Sequence, residues 1–379
     1  MDSSLNAMTV SLRFFYVCPA ISPKNFKSFF FIGTLMRNDQ FLKACRREKT
    51  DYTPVWLMRQ AGRYLKEYRK IRSKVDFLTM CKTPDLAAEV TLQPIDIIGV
   101  DAAIIFADIL LPLEPMGIDL KFAKNEGPVI NNPVRTSSDV DALRHINTDE
   151  DLPFLPEALR IVKQELNGKV PLIGFSGAPF TLASYIIEGG GSRNYIHAKK
   201  MMYNEPETWN RLMDKISDVI INYLLAQIKA GAETVQLFDS WVGCLSVLDY
   251  QQYVLPHSKK IIDGIKKEEN VPIIHFGTNT TTLLPSMKEA GGDVLGLDWR
   301  INLDEGWEKI GFDTSVQGNI DPIILFSSPE VIEDRVKDIL KRAGGRPGHI
   351  FNLGHGILPE TPVDNVKALV NMVHELSAK

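Results

Sequence analysis

Residues 271–319 read VPIIHFGTNTTTLLPSMKEAGGDVLGLDWRINLDEGWEKIGFDTSVQGN and alternate short apolar runs with longer amphipathic segments. The runs have the length and β-branched content of buried strands, and they span Val271–Gly277, Asp293–Asp298 and Thr314–Asn319. The segments between them have the length of single helices, and they span Thr282–Ala290 and Leu303–Ile310. Strands that alternate with one helix each predict a parallel sheet covered by helices.

The same alternation extends outward from this stretch, back to about residue 50 and on to the last strand. The five further candidate strands are Pro54–Arg59, Ala102–Asp108, Val170–Ser176, Thr234–Ser240 and His349–Gly356. Eight strands, each followed by a helical pattern, favour closure into a (β/α)8 barrel over an open sheet. Because no linker or change of composition follows residue 50, we expect residues 36–379 to form one catalytic domain.

Composition excludes several classes of protein. The chain has 379 residues, of which 44% are hydrophobic and 24% charged, and this is ordinary for a globular protein with a sizeable core. Its net charge of −4 argues against general nucleic-acid binding, and no apolar run reaches the roughly 20 residues that span a bilayer. The cysteines show no metal-type spacing and indicate a reducing compartment; they are Cys18, Cys45, Cys81 and Cys244.

The first 35 residues differ from the rest. They are serine-rich and almost free of acids, and their apolar run Phe29–Ile32 is not placed as a secretory signal requires. We favour translation from Met36, which implies a cytoplasmic protein. A transit peptide is the alternative, and it implies a plastid location. In either case we expect residues 1–35 to lie outside the fold.

Cations crowd the segment Arg59–Lys74, RQAGRYLKEYRKIRSK, which holds seven of them against the single anion Glu67. In a chain of negative net charge, this surplus predicts a local pocket for an anionic ligand. Arg59 and Arg63 follow an apolar run, and a helical turn would place both guanidinium groups on one side. The lysines further along are better explained by a solvated helix face, and they are Lys66, Lys70 and Lys74.

Polar residues recur where the predicted strands end. They are Arg59, Asp108, Ser176, Ser240, His275, Asp298, Asn319 and His355. Individually, Asp108 or Ser240 has the position of a helix N-cap. Their recurrence instead predicts a shared cleft, because barrel active sites lie at the carboxyl ends of the strands.

Asp108 is the strongest candidate among these residues, because it lies between two apolar runs. A carboxylate in such surroundings is costly unless it meets donors or cations. It either pairs with Arg59 or acts on a ligand, by accepting N–H donors or stabilising a cation, and we favour the second interpretation.

Two glycine-rich segments and two histidines complete the candidates. His355, between two glycines, is free to project into a cleft, whereas His275 has the position of a core histidine. Residues 188–192, EGGGS, predict a flexible loop, with a lid as its functional variant. Residues 174–178, GFSGA, lack the second glycine of a nucleophile elbow, which argues against a serine hydrolase.

Several stretches together resemble the uroporphyrinogen decarboxylase family. They are PVWLMRQAGRYLKEYR (54–69), DAAIIFADIL (101–110), GFSGAPFTLASYIIEGGGS (174–192), QLFDSWVG (236–243), LDW (297–299), QGNIDP (317–322) and NLGHG (352–356). The resemblance implies a (β/α)8 barrel, typically a homodimer, that needs no cofactor. It also implies removal of four acetate carboxyls from uroporphyrinogen to give coproporphyrinogen.

The resemblance assigns roles to matching residues. Arg59 and Arg63 match the arginines that bind substrate carboxylates, and Asp108 matches the aspartate that accepts pyrrole N–H groups and stabilises the protonated pyrrole. These three are the implied catalytic residues. The other implied substrate-binding residues are Arg72, Tyr185, Ser240 and His355. This sequence departs from the family pattern at Ala107 and Lys66, where serine and proline are common.

Two rival functions stay open at this point. A zinc-dependent methyltransferase on the same barrel needs a His-x-Cys pair on the fifth predicted strand and a later cysteine. Here that strand reads His275-Phe276-Gly277, and no cysteine follows Cys244, so we expect no metal site. A porphyrinogen-binding protein without catalysis would keep the arginines and would not need Asp108.

Overall fold

The computed structural model of the chain describes residues 38–123 and 127–379, so the predictions about residues 1–35 lie outside the described residues. Seven parallel strands form one curled sheet in the order β1-β4-β5-β6-β7-β8-β9, and β2 and β3 form a separate antiparallel hairpin. The strands are β1 Ala103–Ile104, β2 Leu120–Ala123, β3 Gly127–Ile130, β4 Leu172–Gly177, β5 Thr234–Asp239, β6 Ile273–Gly277, β7 Val294–Gly296, β8 Ser315–Gln317 and β9 His349–Ile350. The predicted α/β barrel class is confirmed.

Helices cover the outside of the sheet. They are α1 Gln40–Cys45, α2 Lys66–Arg72, α3 Phe77–Lys82, α4 Pro84–Ile98, α5 Ser137–Ala142, α6 Thr148–Asp151, α7 Phe154–Leu166, α8 Pro179–Glu188, α9 Ile196–Asn204, α10 Pro206–Lys229, α11 Val247–Tyr253, α12 Leu255–Glu268, α13 Leu284–Ala290, α14 Leu303–Ile310, α15 Pro329–Ala343 and α16 Val363–Ser377. Short 3-10 helices span Leu111–Leu113, Val242–Cys244 and Pro322–Phe326. Within the described ranges, no helix is long and apolar enough to cross a membrane.

The first predicted strand, Pro54–Arg59, is only partly correct, because strand pairing there is limited to a parallel bridge between Val55 and Phe351. Phe351 N donates to Pro54 O at 2.8 Å, and Asp101 N donates to Val55 O at 2.8 Å, so this segment contacts both ends of the sheet. After Trp56, whose N–H donates to Phe351 O at 3.3 Å, the next two backbone N–H groups bond side chains instead. Leu57 N donates to Gln60 Oε1 at 3.1 Å, and Met58 N donates to Asn352 Oδ1 at 3.0 Å. These side-chain acceptors explain why the strand is so short.

A chain of polar side chains crosses the inside of the barrel. Trp56 Nε1 donates to Gln317 Oε1 at 2.8 Å, and Gln317 Nε2 donates to Gln236 Oε1 at 3.1 Å. All three residues are fully buried. Trp56 belongs to residues 54–58, hereafter the closing segment, and the two glutamines belong to β8 and β5. The hydrogen bonds therefore connect opposite sides of the barrel through its interior.

The glycine-rich stretch after α8 is paired rather than free. Gly190 forms an antiparallel bridge with Val129 of β3, and Ile130 N donates to Gly189 O at 2.9 Å. Gly189 and Gly190 therefore extend the β2–β3 hairpin, so the first half of the expected flexible loop has defined backbone partners.

Asp101 anchors the closing segment from the amino-terminal side of β1. Its buried carboxylate accepts hydrogen bonds from Val55 N at 2.7 Å and from the Tyr52 hydroxyl at 2.9 Å. His374 Nε2 of α16 lies 2.7 Å from the same carboxylate. The end of α16 continues this attachment, since Thr53 N donates to Ser377 Oγ at 2.8 Å.

We expect Asp101→Ala to lower the free energy of unfolding by about 3 kcal/mol. The substitution leaves the buried Val55 N–H and the part-buried Tyr52 and His374 donors without this acceptor. Urea denaturation measures this. Asp96→Ala is the matched control, since Asp96 is largely exposed and pairs with Lys169 at 3.6 Å. Its effect should stay within about 0.5 kcal/mol. Equal effects of the two substitutions would contradict the anchoring role.

Candidate active site

The carboxyl ends of the parallel strands meet at one end of the barrel. Arg59 follows the closing segment, Asp108 follows β1, Ser240 follows β5 and His355 follows β9. Arg59 influences the pKa values of Asp108, Tyr185 and His355, so these groups lie within electrostatic range of one guanidinium. The structure thus brings together Arg59, Asp108, Tyr185 and His355.

Arg59 owes its position to a glycine. Its backbone has a φ of +62°, in the left-handed region, and its side chain passes over Gly356. A Cβ atom at position 356 would overlap Cγ and Cδ of Arg59. The glycine after His355 is therefore needed for the arginine to lie where it does, which explains the final glycine of the NLGHG stretch.

Asp108 is partly buried, and its Oδ1 accepts a hydrogen bond from Leu110 N at 2.9 Å. Burial raises the pKa of the carboxyl group from 3.8 to about 6, although the Leu110 bond and Arg59 oppose the rise. In the described part of the chain, Asp108 and Arg59 form no direct ion pair, so the purely structural pairing is not observed. The carboxylate keeps acceptor capacity for a ligand.

Tyr185 of α8 stacks on Trp241, with 3.8 Å between ring centroids and 30° between planes. Burial, with Asp108 nearby, raises the pKa of the phenol to about 12, so it stays protonated at neutral pH. Thr181 Oγ1 accepts from Trp241 N at 3.4 Å and donates to the buried Asp239 at 3.1 Å. This connection fixes the backbone on both sides of Ser240.

Sequence reasoning did not single out Trp241, although it lies in the quoted stretch QLFDSWVG. An aromatic residue directly after a strand-end serine was the available signal, since a partly exposed indole needs a partner. The stack on Tyr185 is its partner here.

His355 is partly buried beside Trp299, whose ring stands edge-on at 6.4 Å between centroids. Burial, together with Arg59 and Arg300, lowers the pKa of the imidazole to about 4, although Asp298 opposes the shift. His355 is therefore neutral at physiological pH, so it can exchange hydrogen bonds with a ligand without adding a charge.

Arg63 and Arg72 are exposed. Burial raises the pKa of the Tyr68 phenol, and both guanidinium groups oppose that rise, which places the two arginines near Tyr68. Tyr68 packs edge-on against Phe106, two residues before Asp108, at 5.8 Å. The predicted helical turn over Arg59 and Arg63 is wrong, since α2 begins at Lys66 and the preceding residues form turns. Both arginines nevertheless border the region around Asp108.

Three of the predicted strand-end residues have structural surroundings instead. Ser176 is buried and donates to Gly177 O at 3.1 Å, and Asn319 Nδ2 donates to Asp298 O at 2.8 Å. His275 is fully buried, 3.5 Å from the Asp239 carboxylate. The recurrence of polar strand ends therefore predicted more cleft residues than the structure has. His275 lies in the core as predicted.

The surroundings of Gly277 do not fit a thiolate zinc site. A Cβ atom there would lie 2.6 Å from Cγ2 of Thr280 and 3.2 Å from Asp239 O, so a cysteine would not fit without displacing its neighbours. No group of three His, Cys, Asp or Glu residues within 38–123 and 127–379 is arranged to hold a metal ion. The donor set of the methyltransferase alternative is therefore missing from this strand.

Asp108→Asn should stabilise the protein at neutral pH. Because the folded-state pKa lies above the unfolded value, stability from this group is complete below pH 4 and is lost as pH rises through 6. The difference in unfolding free energy, variant minus wild type, should increase by about 1–3 kcal/mol between pH 4 and pH 7.5. Urea denaturation at both pH values tests this, and a pH-independent difference would contradict the raised pKa.

Comparisons with known proteins identify the family of this chain. The family model for uroporphyrinogen decarboxylase (URO-D) matches residues 36–376. Uroporphyrinogen decarboxylase of Carboxydothermus hydrogenoformans is 63% identical over 341 residues, which cover 90% of this chain and 97% of the relative. The Sorangium cellulosum protein of the same name is 56% identical over 89% of this chain and 97% of its own length.

Among solved structures, a methyltransferase from Methanosarcina mazei superposes with a TM-score of 0.75 at 21% identity, over 89% of this chain and 98% of that one. Identity this low shows a shared fold and leaves the chemistry open. The family match and the curated relatives decide the assignment: the chain belongs to the uroporphyrinogen decarboxylase family.

Proposed function

We propose that this protein is a carboxy-lyase that removes the four acetate carboxyl groups of uroporphyrinogen and releases coproporphyrinogen. The observation that carries the proposal is Asp108, a strand-end carboxylate with a raised pKa beside the guanidinium of Arg59. The similarity to proteins named uroporphyrinogen decarboxylase supports the same reaction.

The charge distribution suits this substrate. Uroporphyrinogen carries eight carboxylates, so its binding requires a cationic site even in a protein of net charge −4. Arg59 and Arg63 bind substrate carboxylates in this proposal, and Arg72 lies further along the same basic segment. Guanidinium groups suit the role because their paired N–H donors match a carboxylate.

The reaction needs an electron sink rather than a nucleophile. Protonation of the pyrrole carbon adjacent to the one that bears the acetate arm produces a cationic ring, whose conjugated system includes the carbon that bears the arm. The electron pair of the C–CO₂ bond then flows into that ring as CO₂ leaves. The resulting methylene group takes up a proton to become methyl, and the proton on the ring carbon is lost. The ring itself is the sink, so we propose that no organic cofactor or metal takes part.

Asp108 stabilises this cation. With a pKa of about 6 it is largely ionised at neutral pH, and its Oδ1 is held by the Leu110 backbone. A fixed carboxylate in a partly desolvated site attracts the cationic ring more strongly than the neutral ground state. The same carboxylate accepts the pyrrole N–H groups in the bound substrate.

The neighbouring groups have different roles. His355, with a pKa of about 4, and Tyr185, with a pKa of about 12, are both uncharged at neutral pH and act as hydrogen-bonding partners of the substrate. Ser240 supplies a further hydroxyl at the end of β5. Arg59 is a poor acid by its ordinary pKa, so we assign it to carboxylate binding.

The proposed assembly rests on the family resemblance. We propose a homodimer in the cytoplasm, with residues 1–35 dispensable for activity. Nucleic acid and membrane are not among the partners of this proposal.

The direct test is to incubate the purified protein with uroporphyrinogen in the presence of a strong chelator and to separate the products by carboxyl number. We expect successive loss of four carboxyl groups. Unchanged substrate would contradict the proposal and favour the alternative of a porphyrinogen-binding protein without catalysis. Decarboxylation that chelation abolishes and zinc restores would contradict the proposal that no metal takes part.

Asp108→Asn should lower turnover by about 10²–10³-fold, because a neutral amide does not offset the ring cation. Steady-state decarboxylation kinetics measure this, with Asp96→Asn on the exposed face of α4 as the control for loss of one negative charge. Because Asp108→Asn should not reduce stability at neutral pH, unfolding does not explain lost activity. A near wild-type rate would exclude the electrostatic role.

A further inference from the structure

Arg300 lies at the same end of the barrel as Arg59, four residues after β7, and sequence reasoning passed over it because the quoted stretch ends at Trp299. In strand order, β8 and β9 separate Arg300 from the closing segment that precedes Arg59. Arg300 is therefore a cation on a different part of the rim from the basic segment that supplies Arg59 and Arg63.

The guanidinium of Arg300 is held in place by two neighbours. Its Cζ lies 3.9 Å from the centroid of the Trp299 ring, a cation–π distance. Its Nη1 donates to Asp298 Oδ2 at 3.0 Å. A guanidinium fixed in this way loses less conformational entropy when it binds an anion than a free surface arginine does.

The Asp298 carboxylate also accepts hydrogen bonds from two backbone N–H groups, and it bonds only one N–H of the Arg300 guanidinium. Its Oδ1 accepts from Arg300 N at 2.9 Å and its Oδ2 from Asn279 N at 2.5 Å, and its side chain is 1% exposed. The Arg300 side chain is 43% exposed. In the described ranges, Asp298 is the acceptor of its guanidinium, which leaves most of the guanidinium's N–H donors for a ligand.

Arg300 is connected to the cleft through His355. The Trp299 ring that supports the guanidinium stands edge-on to the imidazole. Arg300 and Arg59 both depress the pKa of His355, so the imidazole lies within range of both cations. A ligand that contacts His355 and Arg59 is therefore close to Arg300 as well.

We propose that Arg300 binds one peripheral carboxylate of the substrate, on the part of the rim away from the basic segment 59–74. This inference rests on the proposed function, because a macrocycle with carboxylates around its whole edge requires cations on more than one side. The contact is a charge-assisted hydrogen bond in a partly exposed site. It holds the macrocycle and takes no part in breaking the bond.

The test compares Arg300→Gln and Arg300→Lys with Arg342→Gln as a matched control. Arg342 is also a carboxylate-paired arginine, bonded to Asp304 and Asp338, but it lies on α15. We expect Arg300→Gln to raise KM for uroporphyrinogen about ten-fold with kcat within about two-fold, since a charged hydrogen bond contributes on this scale. The KM of Arg300→Lys should lie between those of wild type and Arg300→Gln, and the KM and kcat of Arg342→Gln should match wild type.

Equilibrium binding separates this inference from the proposed reaction. The oxidised macrocycles uroporphyrin and coproporphyrin carry eight and four carboxylates, and their binding is followed by quenching of tryptophan fluorescence. Weaker binding of both to Arg300→Gln assigns the contact to a propionate, and weaker binding of uroporphyrin alone assigns it to an acetate.

Two outcomes overturn the inference. Unchanged affinity of Arg300→Gln for both macrocycles excludes a contact between Arg300 and a carboxylate. A fall in kcat with KM unchanged indicates that Arg300 only positions Trp299 and His355. Failure of the wild type to decarboxylate uroporphyrinogen would refute the proposed reaction, while the affinities would still decide the role of Arg300.

Discussion

Closure of the parallel sheet is the constraint on which the rest of this structure depends. The segment around Val55 must contact both the first and the last strand, although its strand pairing is limited to a single bridge. Buried polar side chains supply the missing hydrogen bonds: Asp101 holds Val55, and Asn352 holds Met58. An apolar residue at either position would leave backbone N–H groups buried without an acceptor. Closure is what brings Arg59 and His355, from opposite ends of the chain, to the same end of the barrel.

The cleft combines opposite electrostatic environments over a short distance. Arg59 is exposed and charged, whereas Asp108 is buried enough that its pKa rises to about 6, and His355 is held neutral. This arrangement suits a reaction in which a charged substrate binds at its periphery and a second charge develops at its centre. Ionised Asp108 destabilises the folded state at neutral pH. Functional sites often lower the stability of a protein in this way, because their residues are arranged for chemistry rather than for folding.

Much of the fold could be predicted from the sequence because the strand–helix alternation is regular after β5. The bounds of α14 were predicted to the residue, and α13 begins two residues later than expected. The first strand and the glycine-rich stretch were harder, because their backbone bonds go to Asn352, Asp101 and β3, which are distant in sequence. Long-range partners leave no local pattern. Asp108 and His355 could be found from their unusual apolar or glycine neighbours, whereas Ser176 and Asn319 had the same strand-end positions and are structural.

The attachment of α16 to the closing segment has a consequence for synthesis on the ribosome. Thr53 bonds Ser377, and Asp101 bonds His374, so the first and last elements of the barrel stabilise each other. The nascent chain can form β4 to β8 as they emerge, but the edges of the sheet stay open until α16 leaves the exit tunnel. An open parallel sheet exposes unpaired backbone groups and apolar surface for that interval, when it is most prone to aggregation. The incomplete barrel therefore depends most on chaperones in the interval between synthesis of β8 and emergence of α16.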